Sequence, residues 1–162
     1  MDLLFQKIIL PPPIGSTTIV ADTKYLKAIS FGRNRKKIKT ILSHAETGSN
    51  GIIEKTKVQL QEYLAGMRTK FDLPLTLSGT DFQIKTWQAL LTIPHGKVIS
   101  YSEQATLIGN PKAVRAVGQA NRLNPIAIVV PCHRVIGKSG ALTGYAGGLE
   151  IKKFLLDLER KI

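Results

Sequence analysis

The chain contains one thiol, Cys132, set between Pro131 and the pair His133-Arg134. A free cysteine is most often a small buried hydrophobe with no chemistry of its own. At its ordinary pKa near 8.5 only about 3% would be thiolate at pH 7, so a nucleophilic role needs a base or cation close by. His133 adjoins it, but neighbours in an extended segment point to opposite faces. The histidine therefore serves the thiol only if the chain turns there, with a bridging water as the favoured route.

The three histidines, His44, His95 and His133, have no metal-ligand spacing with one cysteine. His44 and His95 adjoin loop signals and are expected at the surface. Gly137-Lys138-Ser139 imitates the end of a phosphate-binding loop, but position 132 would have to be glycine and no helical pattern follows. A nucleoside-triphosphate site is excluded. Gly137, Gly140, Gly144, Gly147 and Gly148 are better suited to bringing backbone close to a flat ligand, with Tyr145 supplying a ring.

Positioning these residues requires a framework. The run Ile126-Ala127-Ile128-Val129-Val130 has the length and composition of a buried strand, which Pro131 stops. Ser78 or Thr80 caps a helix carrying Phe82, Ile84, Trp87, Leu90 and Leu91, ended by Pro94-His95-Gly96. Ser100 caps a short helix to Leu107, terminated by Gly109, and Pro111 opens another over Lys112 to Arg122. The two suggest a helix-turn-helix. A last helix from Leu149 to Glu159 puts Ile151, Phe154, Leu155 and Leu158 on one face. Upstream, Thr17 to Phe31 reads as two strands about Asp22-Thr23-Lys24. A loop at 45–51 precedes a helical pattern through Leu64, with Gly66 as its stop. Pro74 and Ser78-Gly79-Thr80 place a domain boundary near 76, giving domains 1–75 and 76–162.

The 162 residues are 43% hydrophobic and 21% charged, enough for a core. No apolar run approaches the roughly 18–20 residues that span a bilayer. One cysteine forbids an intramolecular disulfide, and Asp2 with Pro11-Pro12-Pro13 spoils a signal peptide, so a cytoplasmic location is expected. The net charge of +12 favours a polyanionic partner. Its excess is shared: 12 basic against 6 acidic residues in 1–75, and 11 against 5 in 76–162. The densest cluster, Arg33 to Lys39, reads as the solvated face of a loop or helix start, with a secondary phosphate contact as the alternative.

Pro131-Cys132-His133-Arg134-Val135-Ile136-Gly137 resembles the active-site motif of the O6-alkylguanine-DNA alkyltransferases (methylated-DNA–protein-cysteine methyltransferases). Ile99-Ser100-Tyr101, the segment Gly109 to Gly118, Asn124-Pro125-Ile126 and the segment Gly144 to Leu149 stand in that family's order and spacing. Residues 1–75 resemble it in outline only. The resemblance implies an α/β (α+β) fold: a small ribonuclease-H-like strand-and-helix domain, then a mostly helical, winged helix-turn-helix-type catalytic domain.

It implies direct-reversal DNA repair. O6-alkylguanine, and O4-alkylthymine with it, would be flipped from duplex DNA and its alkyl group moved irreversibly to Cys132, once per protein. By resemblance His133 is the base acting through water, Glu159 polarises it, Asn124 holds the turn behind the site, and Tyr101 contacts the base and crowds its 3′ phosphate. Val135, Tyr145, Ala146 and Gly147 would form the guanine pocket. Arg115 would fill the opened stack, with Lys112, Ala113 and Arg122 also on DNA. The resemblance implies double-stranded DNA as the partner and a monomeric protein, with no membrane, metal or cofactor expected. The zinc ligands of animal relatives and the regulatory domain of adaptive-response relatives have no counterpart in these residues. Ala146 and Ala127 stand where some relatives carry Ser and Pro, which removes a hydroxyl contact and widens the pocket for larger alkyl groups.

Three other readings remain for such a chain: a lesion binder without transfer, a cysteine hydrolase, and a DNA-binding module whose cysteine is structural. Cys132 argues against the first. A histidine from elsewhere and an oxyanion site would be needed for the second.

Overall fold

The structure, a computed structural model, describes residues 2–32 and 38–161. Arg33 to Lys37, the heart of the basic cluster, lie outside the described residues. The chain divides into two compact units, Met1–Thr76 and Leu77–Ile162.

The first unit is a four-stranded sheet with a helix on it. β1 (Leu4–Leu10) and β2 (Gly15–Ala21) pair antiparallel, as do β2 and β3 (Leu26–Phe31). A short helix, α1 (Lys39–Leu42), leads to β4 (Glu46–Thr47), which joins β1 in parallel, giving the order β3-β2-β1-β4. β2 and β3 are the strands expected between Thr17 and Phe31. β1 was not expected. The prolines after Leu10 make the turn of a hairpin, with the Ile14 amide donating to Pro11 O. Asn50 caps α2 (Gly51–Leu64), its side chain accepting from the Ile53 amide. Ile53, Leu60 and Tyr63, on one face of α2, are fully buried.

The second unit is mostly helical. Thr80 and Gln83 close a capping box on α3 (Asp81–Leu90), satisfying two amide donors at its start. Trp87, on the buried face, donates its indole N–H to Ala120 O at 2.8 Å. β5 (Ile99–Ser100) runs into α4 (Tyr101–Leu107), where the Ser100 hydroxyl accepts from the Glu103 amide. Gly109, at φ +77°, takes the left-handed conformation that closes α4.

Helix α5 spans Val114–Arg122, not Lys112 to Arg122. Pro111 and Lys112 form a turn ahead of it, and the first helical backbone bond is Val117 N–H to Ala113 O. α4 and α5 pack through Ala105, Ile108 and Val117.

The expected strand at 126–130 does not form. All five residues are buried, yet they curl into turns, with Ile128 at φ +70°. Asn124 explains this. Its side chain accepts from the Ile126 amide and donates to Val130 O, satisfying locally the backbone groups that a sheet would have used. A 3-10 turn, Cys132–Arg134, follows at once, then β6 (Val135–Ile136), parallel to β5. The last helix, α6, spans Leu149–Arg160. Among the described residues no helix is long and apolar enough to cross a membrane.

Candidate active site

The 3-10 turn places Cys132 and His133 in one bend of chain, the condition under which adjacent residues can cooperate. Cys132 is 9% exposed and His133 fully buried. The Asn124 amide, already wrapped around the preceding turn, donates to Cys132 Sγ at 3.3 Å.

His133 Nε2 lies 2.8 Å from Glu159 Oε1. The Glu159 carboxylate, near the end of α6, also receives Arg134 Nε and Nη2 at 2.8–3.2 Å and the Gly96 amide at 3.3 Å. Burial by itself would raise its pKa. The hydrogen bonds from His133 and Arg134, reinforced by their charge, outweigh burial and hold the carboxyl well below the usual carboxylate range. An ionised Glu159 only accepts, so the proton shared with it belongs to His133 Nε2. That tautomer leaves Nδ1 as the lone-pair nitrogen, and Nδ1 is buried with no hydrogen-bond partner among the described residues. Burial, the largest influence, keeps the His133 pKa low despite Glu159, so the imidazole is neutral. The result is a base oriented by an anion beside a thiol.

Lys152 is the second buried charge on α6, seven residues before Glu159 and on the same face. Its Nζ donates to Val135 O at 2.6 Å and Thr143 O at 2.8 Å, and sits 3.4 Å from Tyr101 Oη. Tyr101 Oη itself donates to Thr143 O at 2.8 Å. Three segments are tied at one ammonium: the strand after Cys132, the loop before α6, and α4. Desolvation lowers Lys152 to about 8, opposed by the negative charge available at Cys132. Tyr101 moves the other way, raised chiefly by burial.

A cavity of about 310 Å³ opens beside this cluster, lined by Tyr101, Val114, Arg115, Gly118, Gln119, Arg122, Thr143 and Gly144. Arg115 and Arg122 are exposed on α5. Basic side chains flanking a cleft suit a polyanionic ligand.

The structure thus brings Cys132, His133, Asn124 and Glu159 together, with Val135 directly after the 3-10 turn. Tyr101, Arg115 and Arg122 gather at the cleft. Tyr145, Ala146 and Gly147 lie half-buried in the loop before α6, while Lys112 and Ala113 sit in the turn before α5, off the cavity lining. His44 is exposed as expected; His95 is half-buried, which corrects its placement at the surface. Sequence reasoning assigned no role to Arg134, Lys152 or the Gly96 amide. A signal existed for Lys152: it stands beside Ile151 within the apolar frame of α6, and a charge there is either misplaced or engaged. Among the described residues no group of three His, Cys, Asp or Glu side chains could hold a metal.

Two family models match the chain. Residues 7–77 match the ribonuclease-like domain of 6-O-methylguanine DNA methyltransferase, and residues 81–161 match its DNA binding domain. A methylated-DNA–protein-cysteine methyltransferase of Methanosarcina acetivorans is 49% identical over 93% of this chain and 96% of its own. The constitutive Bacillus subtilis protein of that name is 58% identical over 72% of this chain and 70% of its own. The crystal structure of Mycobacterium tuberculosis O6-methylguanine methyltransferase superposes with a TM-score of 0.85 at 44% identity, covering 98% of this chain and 93% of that one. The M. tuberculosis protein OGT in complex with DNA gives 0.86 at the same identity and coverage.

Proposed function

The chain belongs to the methylated-DNA–protein-cysteine methyltransferase family, and from that premise we propose that it repairs alkylated DNA by moving the alkyl group to Cys132. The observation that carries the assignment to this residue is the His133–Glu159 contact of 2.8 Å at the turn holding the only thiol.

The substrate is O6-alkylguanine in double-stranded DNA, with O4-alkylthymine a second lesion of the same geometry. Within the duplex the O6 substituent is stacked away from any protein thiol, so the nucleotide must be extruded, at an unstacking cost of a few kcal/mol. Arg115, exposed on α5, fills the opened stack, while Arg122 and Lys112 contact phosphates and Ala113 lies against the backbone. Tyr101, Val135, Tyr145, Ala146 and Gly147 surround the extruded base.

His133 Nδ1 takes the thiol proton, through one water. The imidazolium so formed is stabilised by Glu159, whose own charge is fixed by Arg134. Lys152 and the Asn124 amide favour the thiolate over the thiol. Sulfur then attacks the alkyl carbon: the S–C bond forms, the C–O6 bond breaks, and the electron pair leaves on guanine, which takes up a proton. The product is a thioether with no hydrolysable bond, so each monomer acts once.

The test is intact-protein mass after incubation with O6-methylguanine duplex. A gain of about 14 Da, one CH₂, located on Cys132, is expected of nucleophilic transfer. An unchanged mass with DNA bound would reduce the protein to a lesion binder.

A further inference from the structure

Helices α4 and α5 are locked together by a buried pair of amides that no step of the chemistry uses. Gln104 Nε2 donates to Asn121 Oδ1 at 2.9 Å, and Asn121 Nδ2 donates back to Gln104 Oε1 at 2.7 Å. Gln104 Nε2 also donates to Thr86 O on α3 at 3.2 Å. Gln104 is fully buried and Asn121 nearly so. We propose that this pair is a positioning element: it fixes the register of α5 against α4, and so the placement of Arg115 and Arg122 on duplex DNA. The inference rests on the reading of α5 as the DNA-contacting helix.

The apolar contacts between the two helices are made by Ala105, Ile108 and Val117, with Phe82, Ala89, Tyr101 and Val114 around them. Hydrophobic packing is non-directional, so it specifies register less sharply than paired hydrogen bonds do. A reciprocal amide pair resists a slip, because both hydrogen bonds break together and leave polar atoms buried without partners. Fixing register is the best-attested use of buried polar side chains. Register matters here because a slip of one residue moves a helix about 1.5 Å along its axis and turns it by about 100°. Arg115 and Arg122 would then leave the cleft. Asn121 immediately precedes Arg122, so the constraint acts where the basic face is presented.

A competing role lies close by. The Asn121 backbone carbonyl accepts from the Asn124 backbone N–H at 3.2 Å, and the Asn124 side-chain amide donates to Cys132 Sγ. The pair could serve the thiol rather than the DNA. A substrate that needs no duplex separates the two roles.

Wild type, Q104L/N121L and the swapped variant Q104N/N121Q are compared by circular dichroism, by Cys132 alkylation with free O6-benzylguanine, and by alkylation with O6-methylguanine duplex at varied protein concentration. In the folded double-leucine variant the free-base rate and the limiting duplex rate should stay within about threefold, while the half-saturating concentration rises about tenfold or more. The swap restores an amide pair across the same span and should recover most of that loss. An unchanged half-saturating concentration in folded Q104L/N121L would make the pair ordinary packing. Parallel loss on both substrates would assign it to the thiol or the fold. If the leucine variant does not fold, the single variants Q104A and N121A are read in the same way, and an unchanged half-saturating concentration in both overturns the proposal. Failure of the alkyl-transfer reading is distinct: wild type would then form no Cys132 adduct with either substrate.

Discussion

His133 and Glu159 stand 26 residues apart in the chain and 2.8 Å apart in space, both sealed from water. The contact decides which imidazole nitrogen carries the proton. With the carboxylate on Nε2, Nδ1 is the nitrogen left with a lone pair, the one the proposed proton transfer from Cys132 requires. Arg134 makes the arrangement durable. It compensates the buried carboxylate, and its Nη1 donates to Ile93 O at 2.6 Å, anchoring the guanidinium.

Replacing His133 or Glu159 by Gln should therefore slow alkylation of Cys132 by about 10²- to 10⁴-fold without abolishing it, the usual contribution of a positioned base. The double variant should match the slower single, since both belong to one relay. E159Q also leaves Arg134 buried without its anion, costing about 3–5 kcal/mol of stability. E159D, which keeps the charge, should recover stability before it recovers rate. Single-turnover rates with free O6-benzylguanine and thermal melts check both. An unchanged rate in a folded E159Q would remove Glu159 from the mechanism.

The same pair contributes to the loss of stability in acid. The folded His133 pKa lies below its ordinary 6.5, so below that pH the unfolded chain takes up a proton that the folded one refuses. Stability falls as a consequence. Glu159 is depressed from 4.5, so its contribution is whole above 4.5 and is lost as pH drops through the folded value. Melting temperature should decline below pH 6.5 and fall more steeply below 4.5. H133Q should remove the first decline and spare the second. A melting temperature flat between neutrality and pH about 4 would contradict both shifts.

Much of this site could be read from residue types. Thr80, Ser100 and Gly109 announce helix ends through side-chain acceptors and left-handed backbone, which are local properties. Cys132 with His133 announces its chemistry in the same way. The 126–130 run deceived because hydrophobicity records burial, not conformation, and Asn124, two residues upstream, supplies the hydrogen bonds that curl it. β1 was hidden for a related reason: Pro11-Pro12-Pro13 reads as an interruption, while in space it is the turn of a hairpin. Lys152 and Arg134 escaped notice because their partners are a carboxylate 25 residues off and backbone carbonyls, which leave no pattern along the chain.

On the proposed mechanism, removing the acceptor Cys132 and the wedge Arg115 should give opposite signatures. C132A should keep its affinity for O6-methylguanine duplex and form no adduct, because the thiol is not a phosphate contact. R115A should lose far more in duplex repair than in reaction with free O6-benzylguanine, since only the duplex must be opened. Binding of wild type should weaken steeply with salt as phosphate contacts release counterions, and R115A should lower that slope by at most about one. Equal losses on both substrates would place Arg115 in the fold or the chemistry instead.

Lys152 sets the alkaline limit. Its folded pKa, about 8 against an ordinary 10.5, means that the folded protein sheds this proton while the unfolded chain still holds it. Between those values the unfolded state binds more protons, so stability rises with pH, as the cost of a buried ammonium is relieved. Activity runs the other way. The neutral amine no longer favours a thiolate at Cys132, and its grip on the Val135 and Thr143 carbonyls weakens, so the alkylation rate should fall above about 8. Tyr101 is raised from its ordinary 10.0 and does not account for a limb in that range. K152M keeps the length of the side chain but removes the titration. It should be slower than wild type at neutral pH, without the alkaline fall in rate and without the alkaline gain in stability. The measurement is the rate with free O6-benzylguanine across the alkaline range, paired with denaturant melts at each pH. An alkaline limb that persists in folded K152M would transfer the effect to another group and leave Lys152 a purely structural tie.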